Sequence, residues 1–518
     1  MKRILLSVLA VLPAFLLGQY SPKELDLMKQ YGESIKGEDI HAHLSFLADD
    51  LLEGRETGER GQKLAAAYIR ANFMKLGLQP GNPQEDSYFQ QYFLRRTTVN
   101  SAEITLNDTT FAYSKDFFAL KGLIPDEVTG DWDFVGYGIQ TDEYDNLKGM
   151  DLEEKIVFLI ADKPSEGGAM NVNLGEQLDN WTQRAANLHK LGAAHVFMEL
   201  PKQAFTTLQL YSKFSPQDVT SSEEIPYGLI CVSEGMGEYL LKAVSKKPEK
   251  VLEKLQKADK VPAVDFSKLS WTYAADIERE FLPAENVMGY MEGTDKKDEL
   301  LVLTAHYDHI GIVKDQINNG ADDDGSGTSA ILEIAEAFSK AAENGNRPRR
   351  SILFMTVSGE EKGLLGSQFY TENPIYPLEQ TIVNLNIDMI GRIDKKYQSR
   401  ADSTNYVYLI GSDKLSSDLH KISEATNQAL DQITLDYTYN DENDPNRFYY
   451  RSDHYNFAKN RIPVIFYFTG VHVDYHKPTD DVYKIQFDKT AKITQLVFGT
   501  AWELANREER IKVDSNKK

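Results

Sequence analysis

From Glu285 to the C-terminus, short apolar segments alternate with segments that carry apolar residues at helical spacing. This alternation predicts an α/β fold with a mainly parallel or mixed central sheet and helices on both of its faces. We predict strands at residues 300–304, 351–357, 381–387 and 463–468, and a helix at 328–340. In open α/β sheets, ligands bind beyond the carboxyl ends of the strands. The residues that follow these four strands are therefore the first candidates for a functional site.

The chain of 518 residues is long enough for two or three domains. Helical spacing dominates residues 24–93, whereas β-type segments dominate from about residue 100 to residue 270. In this second region we predict strands at 102–106, 134–139, 156–161 and 194–198, and a helix at 181–191. The region carries no dense cluster of acidic residues. We therefore predict a main domain formed by residues 19–99 and 271–518, with a smaller β-rich domain, residues 100–270, inserted into it.

The first 18 residues are typical of a secretory signal peptide. Lys2 and Arg3 form the positive start, residues 4–17 are apolar, and Gly18 offers a small residue for cleavage. This apolar run is short for a transmembrane helix, and a buried N-terminal helix is the alternative. We predict that the protein is exported, either to the periplasm or as a secreted protein.

Charge and cysteine content restrict the partners and the ligands. The formal net charge of −22 disfavours binding to nucleic acid, and it disfavours anionic membranes once the signal has been removed. Cys231 is the only cysteine, which excludes an intrachain disulfide and a thiolate zinc cluster. A metal ion in this chain would have to be held by histidines and carboxylates.

Histidines and carboxylates do follow the predicted strands. His306 and Asp308 come after the first strand, three aspartates at 322–324 precede the next helix, and Glu360 and Glu361 follow the second strand. Carboxylates at this density repel one another unless cations neutralise them, and histidine beside Asp and Glu suits zinc. Each motif alone has a structural explanation: a hydrogen-bonded histidine in a loop, an acidic calcium-like or helix-capping loop, or a glutamate pair at a helix start. Their succession predicts a metal-dependent hydrolase.

The order and spacing of these motifs resemble those of the M28 family of metallopeptidases, co-catalytic zinc aminopeptidases and their glutamate carboxypeptidase relatives. Residues 384–391, Asn-Leu-Asn-Ile-Asp-Met-Ile-Gly, and residues 474–481, Asp-Tyr-His-Lys-Pro-Thr-Asp-Asp, extend the resemblance. It covers the helical region from about residue 40 and everything from Glu285 to the end. The region between them, with Phe-Val-Gly-Tyr-Gly-Ile at 134–139, resembles the protease-associated domain that is often inserted in this family.

The resemblance implies two zinc ions per chain. It assigns five ligands: His306 and Asp388 to the first zinc, His476 and Glu361 to the second, and Asp322 as the carboxylate that bridges both. Asp323 and Asp324 are the competing assignments for the bridge, and the peptide bond between Asp322 and Asp323 is expected to be cis. His309 has no role in the resemblance and is expected to be structural.

The resemblance also implies catalytic roles. Glu360 would be the general base that takes a proton from the metal-bridging water and passes it to the leaving amine. Asp308 would orient the imidazole of His306, and Tyr475 would stabilise the oxyanion of the tetrahedral intermediate. Residues 451–454, Arg-Ser-Asp-His, resemble a segment near the substrate pocket, with a structural salt bridge as the alternative.

These inferences predict an exported di-zinc aminopeptidase that removes N-terminal residues from peptides through a metal-bridging hydroxide. A carboxypeptidase or dipeptidase of the same fold would need cations for a terminal carboxylate, for which Arg451 is a candidate. A glutaminyl cyclase would use one zinc and usually lacks the inserted domain. A non-catalytic binding protein should have lost ligands, whereas this chain keeps all five predicted positions and Glu360.

Overall fold

A computed structural model describes residues 21–120, 124–140, 145, 147–161, 174–214, 217–221, 229–257, 261–262, 264–430 and 432–515. The predicted signal peptide, residues 1–18, lies outside these residues. Within the described ranges, no helix has the length and apolar character needed to cross a bilayer. The chain divides into two compact units: Met1–Tyr92 with Pro283–Lys518, the main unit, and Phe93–Leu282, the second unit. The predicted insert, residues 100–270, falls within the second unit.

Helices and strands follow one another along the described part of the chain. In chain order, the helices are α1 (Pro22–Gly32), α2 (Gly37–Leu47), α3 (Arg60–Lys75), α4 (Leu174–Lys190), α5 (Lys202–Phe214), α6 (Glu234–Val244), α7 (Pro248–Lys257), α8 (Gly327–Glu343), α9 (Leu365–Glu372), α10 (Ser417–Ala429), α11 (His454–Lys459) and α12 (Phe487–Asn506). The strands are β1 (Gln79–Pro80), β2 (Phe89–Leu106), β3 (Thr109–Ala112), β4 (Phe117–Leu120), β5 (Trp132–Phe134), β6 (Ile156–Ile160), β7 (His195–Glu199), β8 (Gln217–Ser221), β9 (Leu229–Val232), β10 (Trp271–Met291), β11 (Lys296–His306), β12 (Ile312–Val313), β13 (Gln316–Ile317), β14 (Arg350–Val357), β15 (Thr381–Ile387), β16 (Tyr406–Ile410), β17 (Thr434–Asp436) and β18 (Val464–Phe468). Short 3-10 helices span Asp50–Arg55, Leu378–Gln380, Thr438–Asn440, Phe448–Tyr450 and Val482–Lys484, and a π-helical turn spans Ala321–Ser326.

The sheet of the main unit has the strand order β17-β16-β18-β15-β11-β14-β10. The neighbours β18, β15, β11 and β14 are parallel, whereas β16 and β10 pair antiparallel at the two sides of this group. The α/β class with a mixed central sheet is therefore confirmed. The four strands predicted in this unit correspond to β11, β14, β15 and β18, and the predicted helix corresponds to α8.

Helices cover both faces of this sheet. Successive residues of a strand face opposite sides, so each middle strand contributes to two cores. Leu301 and Leu303 of β11 pack in one core with Phe338 of α8. Leu300 and Val302 of the same strand pack in a second core with residues of α9 and α11. The near-continuous apolar character of the predicted strands follows from this burial on both sides.

Phe338 provides a test of the first core. Its side chain is fully buried, and its ring centroid lies 4.8 Å from that of Phe498 and 5.8 Å from that of Trp502. We expect Phe338→Ala to lower the free energy of unfolding by about 3–5 kcal/mol, because the truncated side chain leaves a cavity among these rings. Denaturant titration followed by circular dichroism measures the loss. Phe46→Ala, at a ring that is 40% exposed, is the control, and equal losses in the two variants would contradict the packing.

The second unit contains a five-stranded sheet with the order β4-β9-β7-β6-β5. β5, β6, β7 and β9 run parallel, and β4 is antiparallel to β9. Alternate residues of β6 again serve two cores, with Ile156 and Phe158 in one and Val157 and Leu159 in the other. Its resemblance to a protease-associated domain stays a prediction.

The strand predicted at 134–139 in this unit is wrong for most of its length. β5 ends at Phe134, and the amide N–H of Gly138 donates to the carbonyl of Val135 at 2.9 Å. Gly136 and Gly138 have φ angles of 64° and 62°. The chain turns here because glycine adopts this left-handed conformation without a steric penalty.

Candidate metal centre

The predicted site residues of the main unit gather at the carboxyl ends of its parallel strands. His306 is the last residue of β11, Asp388 directly follows β15, and Glu360 comes three residues after the end of β14. Two further segments carry predicted site residues. They are the π-helical turn Ala321–Ser326, which leads into α8, and the loop after β18 that carries His476. This is the edge at which open α/β sheets bind ligands.

A first group consists of His306, Asp323 and Asp388, whose potential ligand atoms all lie within 4.8 Å of one another. The Nε2 of His306 lies 3.2 Å from Oδ1 of Asp323 and 3.7 Å from Oδ1 of Asp388. All three side chains are buried. One nitrogen and two carboxylate oxygens therefore face a common centre.

A second group lies next to the first and shares Asp323 with it. The Nε2 of His476 lies 3.2 Å from Oδ2 of Asp323 and 3.1 Å from Oε2 of Glu361. The two oxygens of Asp323 thus face different groups, Oδ1 the first and Oδ2 the second. His309 also reaches this group, since its potential ligand atom lies within 4.8 Å of those of Asp323 and Glu361.

The shared carboxylate is Asp323 and not Asp322, the residue assigned from the resemblance. The Oδ1 of Asp322 accepts a hydrogen bond from the amide of Gly391 at 2.6 Å, and its Oδ2 lies 3.3 Å from Nε2 of His472. The side chain of Asp322 therefore contacts Gly391 and His472 and belongs to neither of the two groups. The cis peptide bond joins Asp323 and Asp324, one residue later than expected.

Asp324, the other competing assignment for the shared carboxylate, accepts hydrogen bonds from backbone amides. Its Oδ1 accepts hydrogen bonds from the amides of Gly327 at 2.8 Å and Met389 at 3.1 Å. Three consecutive aspartates have the same chemistry, so the sequence alone does not show which carboxylate the turn directs into the site. The contacts of the two neighbours leave Asp323 as the member of the run that faces both groups.

Several ligand-type atoms of the two groups are buried without a hydrogen-bond partner. They are Nε2 of His306, Oδ2 of Asp323, Oδ1 of Asp388 and Oε1 of Glu361. A buried carboxylate without a partner is strongly unfavourable, and adjacent carboxylates add repulsion. Bound divalent cations remove both penalties. Imidazole and carboxylate ligands in this arrangement suit zinc, so the residues present fit the metal that the resemblance implies.

Asp308 contacts the imidazole of His306 through its backbone carbonyl more closely than through its carboxylate, the group from which the prediction was made. The Nδ1 of His306 lies 3.1 Å from the backbone carbonyl of Asp308 and 3.8 Å from its carboxylate. The carboxylate accepts hydrogen bonds from the hydroxyl of Thr57 at 2.6 Å and from the amide of Glu360 at 3.3 Å. Asp308 therefore fixes both the imidazole of His306 and the backbone that carries Glu360.

Asp480 holds the turn that carries the shared aspartate, and the sequence analysis did not identify it. Its Oδ2 accepts hydrogen bonds from the amides of Asp322 at 2.9 Å and Asp323 at 3.2 Å. The Nη1 of Arg392 lies 3.4 Å from its other oxygen. The only sequence signal was its position in the Asp-Tyr-His-Lys-Pro-Thr-Asp-Asp motif, four residues after His476.

The Arg-Ser-Asp-His segment at 451–454 contacts the first group through Ser452. The hydroxyl of Ser452 donates to Oδ2 of Asp388 at 2.6 Å, which leaves Oδ1 for the first group. The carboxylate of Asp453 accepts a hydrogen bond from the hydroxyl of Ser367 at 2.5 Å. Both Ser452 and Asp453 are buried.

An open pocket lies against the first group. Half of its ten lining residues are apolar, and the others are three carboxylates, one cation and one phenol: Asp323, Glu360, Asp388, Met389, Phe448, Arg451, Phe466, Phe468, Val471 and Tyr475. Arg451 is exposed, and its guanidinium lies 5.0 Å from the ring centroid of Phe448. The ring of Tyr475 stacks on that of His476 with centroids 3.9 Å apart. Glu360 and Tyr475, the predicted catalytic residues, therefore both face this pocket.

The surroundings shift the proton affinity of both residues. Burial, together with the neighbouring carboxylates of Glu361 and Asp388, raises the pKa of Glu360 well above its ordinary value. Burial, with the charges of Asp323 and Glu361 added, raises the pKa of Tyr475. Tyr475 is therefore protonated at neutral pH and keeps an O–H that can donate a hydrogen bond.

The parallel strands of this mixed α/β sheet end at two adjacent groups of His, Asp and Glu, an arrangement that can hold metal ions. Residues 286–501 match the profile of peptidase family M28.

Two curated relatives and one solved structure show how far the similarity extends. Aminopeptidase YwaD of Bacillus subtilis (strain 168) is 26% identical over 242 residues, which are 44% of this chain and 46% of the relative. A probable glutamate carboxypeptidase VP8 of Zea mays is 31% identical over 121 residues, 23% of this chain and 16% of the relative. The matches thus span less than half the length of these two relatives. The structure of an aminopeptidase from Aneurinibacillus sp. strain AM-1 has the same fold, with a TM-score of 0.55, 18% identity, and coverage of 94% of this chain and 98% of that one.

Proposed function

We propose that the protein is an exported aminopeptidase that binds two zinc ions and hydrolyses the first peptide bond of short or unstructured peptides. The observation that carries the proposal is the shared position of Asp323 between two His–carboxylate groups, beside a pocket that also contains Glu360. Export rests on the signal-like first 18 residues. Zinc in these groups would act as a Lewis acid toward the peptide carbonyl and make a water molecule more acidic.

The residues around the pocket perform the proton transfers and the positioning. Glu360 accepts a proton as water adds to the carbonyl carbon, and it delivers that proton to the amine when the C–N bond breaks. Tyr475 donates a hydrogen bond to the oxygen that becomes negatively charged. The amide of Glu360 donates to the carboxylate of Asp308, which positions the backbone that carries the general base.

The pocket favours a substrate with an apolar first residue and a free amino group. Met389, Phe448 and Phe466 provide apolar surface for a side chain. The carboxylate of Glu360, which belongs to neither metal group, lines the same space and attracts the protonated N-terminal amine. An acetylated N-terminus removes this charge and adds bulk, so it is expected to bind poorly.

A carboxypeptidase or dipeptidase is the second candidate, and Arg451 is the observation in its favour. Its guanidinium is exposed at the pocket and is stacked on Phe448, a position from which it can bind a terminal carboxylate bidentately. Arg451 is the single cation among the ten lining residues of this pocket, against three carboxylates. The carboxylate of Glu360, which lines the same pocket and belongs to neither metal group, is available to a protonated amine, and this favours the aminopeptidase.

Two substrate series separate these candidates. We expect aminoacyl fluorogenic amides with Leu or Phe to be hydrolysed faster than those with Lys or Glu, and N-acetylated peptides with a free C-terminus to be resistant. A chelator should abolish the activity, and added zinc should restore it. Hydrolysis of the N-acetylated series alone would establish the carboxypeptidase instead. Failure of the zinc-loaded protein to hydrolyse either series would refute the aminopeptidase and the carboxypeptidase, and hydrolysis of unblocked dipeptides alone would establish the dipeptidase.

A further inference from the structure

His309 occupies a place for which neither the resemblance nor the predicted ligand set gives a reason. Its side chain is fully buried, and Nδ1 lies 2.7 Å from Oε1 of Glu361 and 3.9 Å from Oδ2 of Asp323. Neither Nδ1 of His309 nor Oε1 of Glu361 has a hydrogen-bond partner in spite of this short distance. The two atoms are therefore not aligned as donor and acceptor, although they lie side by side.

The separations match those of atoms that bind one metal ion. Zn–N and Zn–O bonds are about 2.0–2.2 Å long, so two ligands of one zinc lie no more than about 4.4 Å apart. The distances from His309 Nδ1 to the two carboxylates, 2.7 and 3.9 Å, satisfy this limit. The distances from His476 Nε2 to the same two carboxylates, 3.1 and 3.2 Å, satisfy it as well.

The surroundings hold the imidazole of His309 in place. Its backbone amide donates to the carbonyl of Arg55 at 3.2 Å. Gly320 lies directly against the ring, because a Cβ at Gly320 would come within 2.5 Å of it. The ring of His476 meets that of His309 edge-on, with centroids 5.7 Å apart. The two histidines thus approach the second group from different directions.

We propose that His309 is a fourth protein ligand of the second group, together with Asp323, Glu361 and His476. The inference rests on the proposed zinc binding. It adds that the two groups differ in their number of protein ligands. Four protein ligands form a closed set of the kind found in structural zinc sites, whereas three ligands leave a position free, as in catalytic sites. The second group therefore binds its ion more tightly, and the first group keeps the open position for water or substrate.

The direct test is a crystal structure of the zinc-loaded wild-type protein with anomalous scattering at the zinc edge. We expect zinc within about 2.0–2.1 Å of Nδ1 of His309. Two zinc ions with Nδ1 of His309 more than about 3 Å from either, and donating to Glu361, would overturn this inference and leave the proposed function intact. A protein without zinc in the two groups would overturn both.

Zinc affinity gives a second test that does not depend on activity. In competition with a chelator, wild type is expected to lose its two ions in separate steps. His309→Ala should weaken one step by more than about 100-fold, beyond the roughly 10–100-fold loss that removal of an outer-shell partner causes. His472→Ala, which removes a buried histidine beside Asp322 but outside both groups, is the matched control. Equal losses in the two variants would contradict direct ligation by His309.

Discussion

Glu360→Gln is expected to lower kcat for aminoacyl amide hydrolysis by about 10²–10⁴-fold, the range associated with loss of a general base. The amide of glutamine keeps the size of the side chain and cannot shuttle a proton. Glu360 is a member of neither metal group, so the zinc content should stay at the wild-type value. Steady-state kinetics together with metal analysis of the same preparation measure the two effects.

Glu361→Gln is the matched control for this experiment, because the neighbouring residue has the same chemistry and a different partner set. The carboxylate of Glu361 faces His476 and His309, so this variant should lose zinc from the second group. The pair of variants thus separates proton transfer from metal binding. Equal zinc loss in both would show that Glu360 is a ligand and would contradict its role as a free base.

The main-unit fold could be predicted from the sequence because its middle strands are buried on both faces. Such strands appear as continuous apolar runs, and the helix between β11 and β14 has a clear apolar stripe. The second unit was harder, since the turn at Gly136 and Gly138 lies in an apolar segment that has the composition of a strand. The amino-acid composition of this segment does not show that the φ angles of Gly136 and Gly138 are positive. These positive φ angles turn the chain and end the strand.

The site was predictable to the level of its motifs and not to the level of individual atoms. His306, Glu361, Asp388 and His476 come together in the two groups, and each of them follows a strand or belongs to a distinctive motif. The error at Asp322 arose in a run of identical residues, where spacing carries no information about side-chain direction.

Long-range contacts explain why Asp480 was not identified from the sequence and why His309 was expected to be only structural. Asp480 acts on the turn through amides that precede it by more than 150 residues, and no local pattern records such a contact. His309 lies three residues after His306, yet its relation to Glu361 depends on the pairing of β11 with β14. Both roles follow from the parallel sheet, which brings distant loops to the same edge.

Asp323→Asn is expected to cause a larger loss of bound zinc than any other single substitution, because the two oxygens of this residue face different groups. The asparagine side chain keeps the shape and loses the negative charge, so neither ion retains its full ligand set. A ligand that binds only the folded state stabilises it by about 4 kcal/mol at a thousand times its Kd. We therefore expect zinc to raise the Tm of wild type more than the Tm of Asp323→Asn, as measured by calorimetry with and without zinc.

Asp322→Asn is the control that decides between the two neighbours. Its side-chain oxygen can still accept the hydrogen bond from the amide of Gly391, and its position faces His472 rather than either metal group. This variant should therefore keep both zinc ions and most of the zinc-dependent rise in Tm. If Asp322→Asn lost the ions and Asp323→Asn kept them, the shared carboxylate would be Asp322, and the turn Ala321–Ser326 would have to direct the opposite side chain into the site. Because the two variants differ only in which carboxylate of one turn is neutralised, a general loss of charge or of folding cannot produce opposite zinc contents.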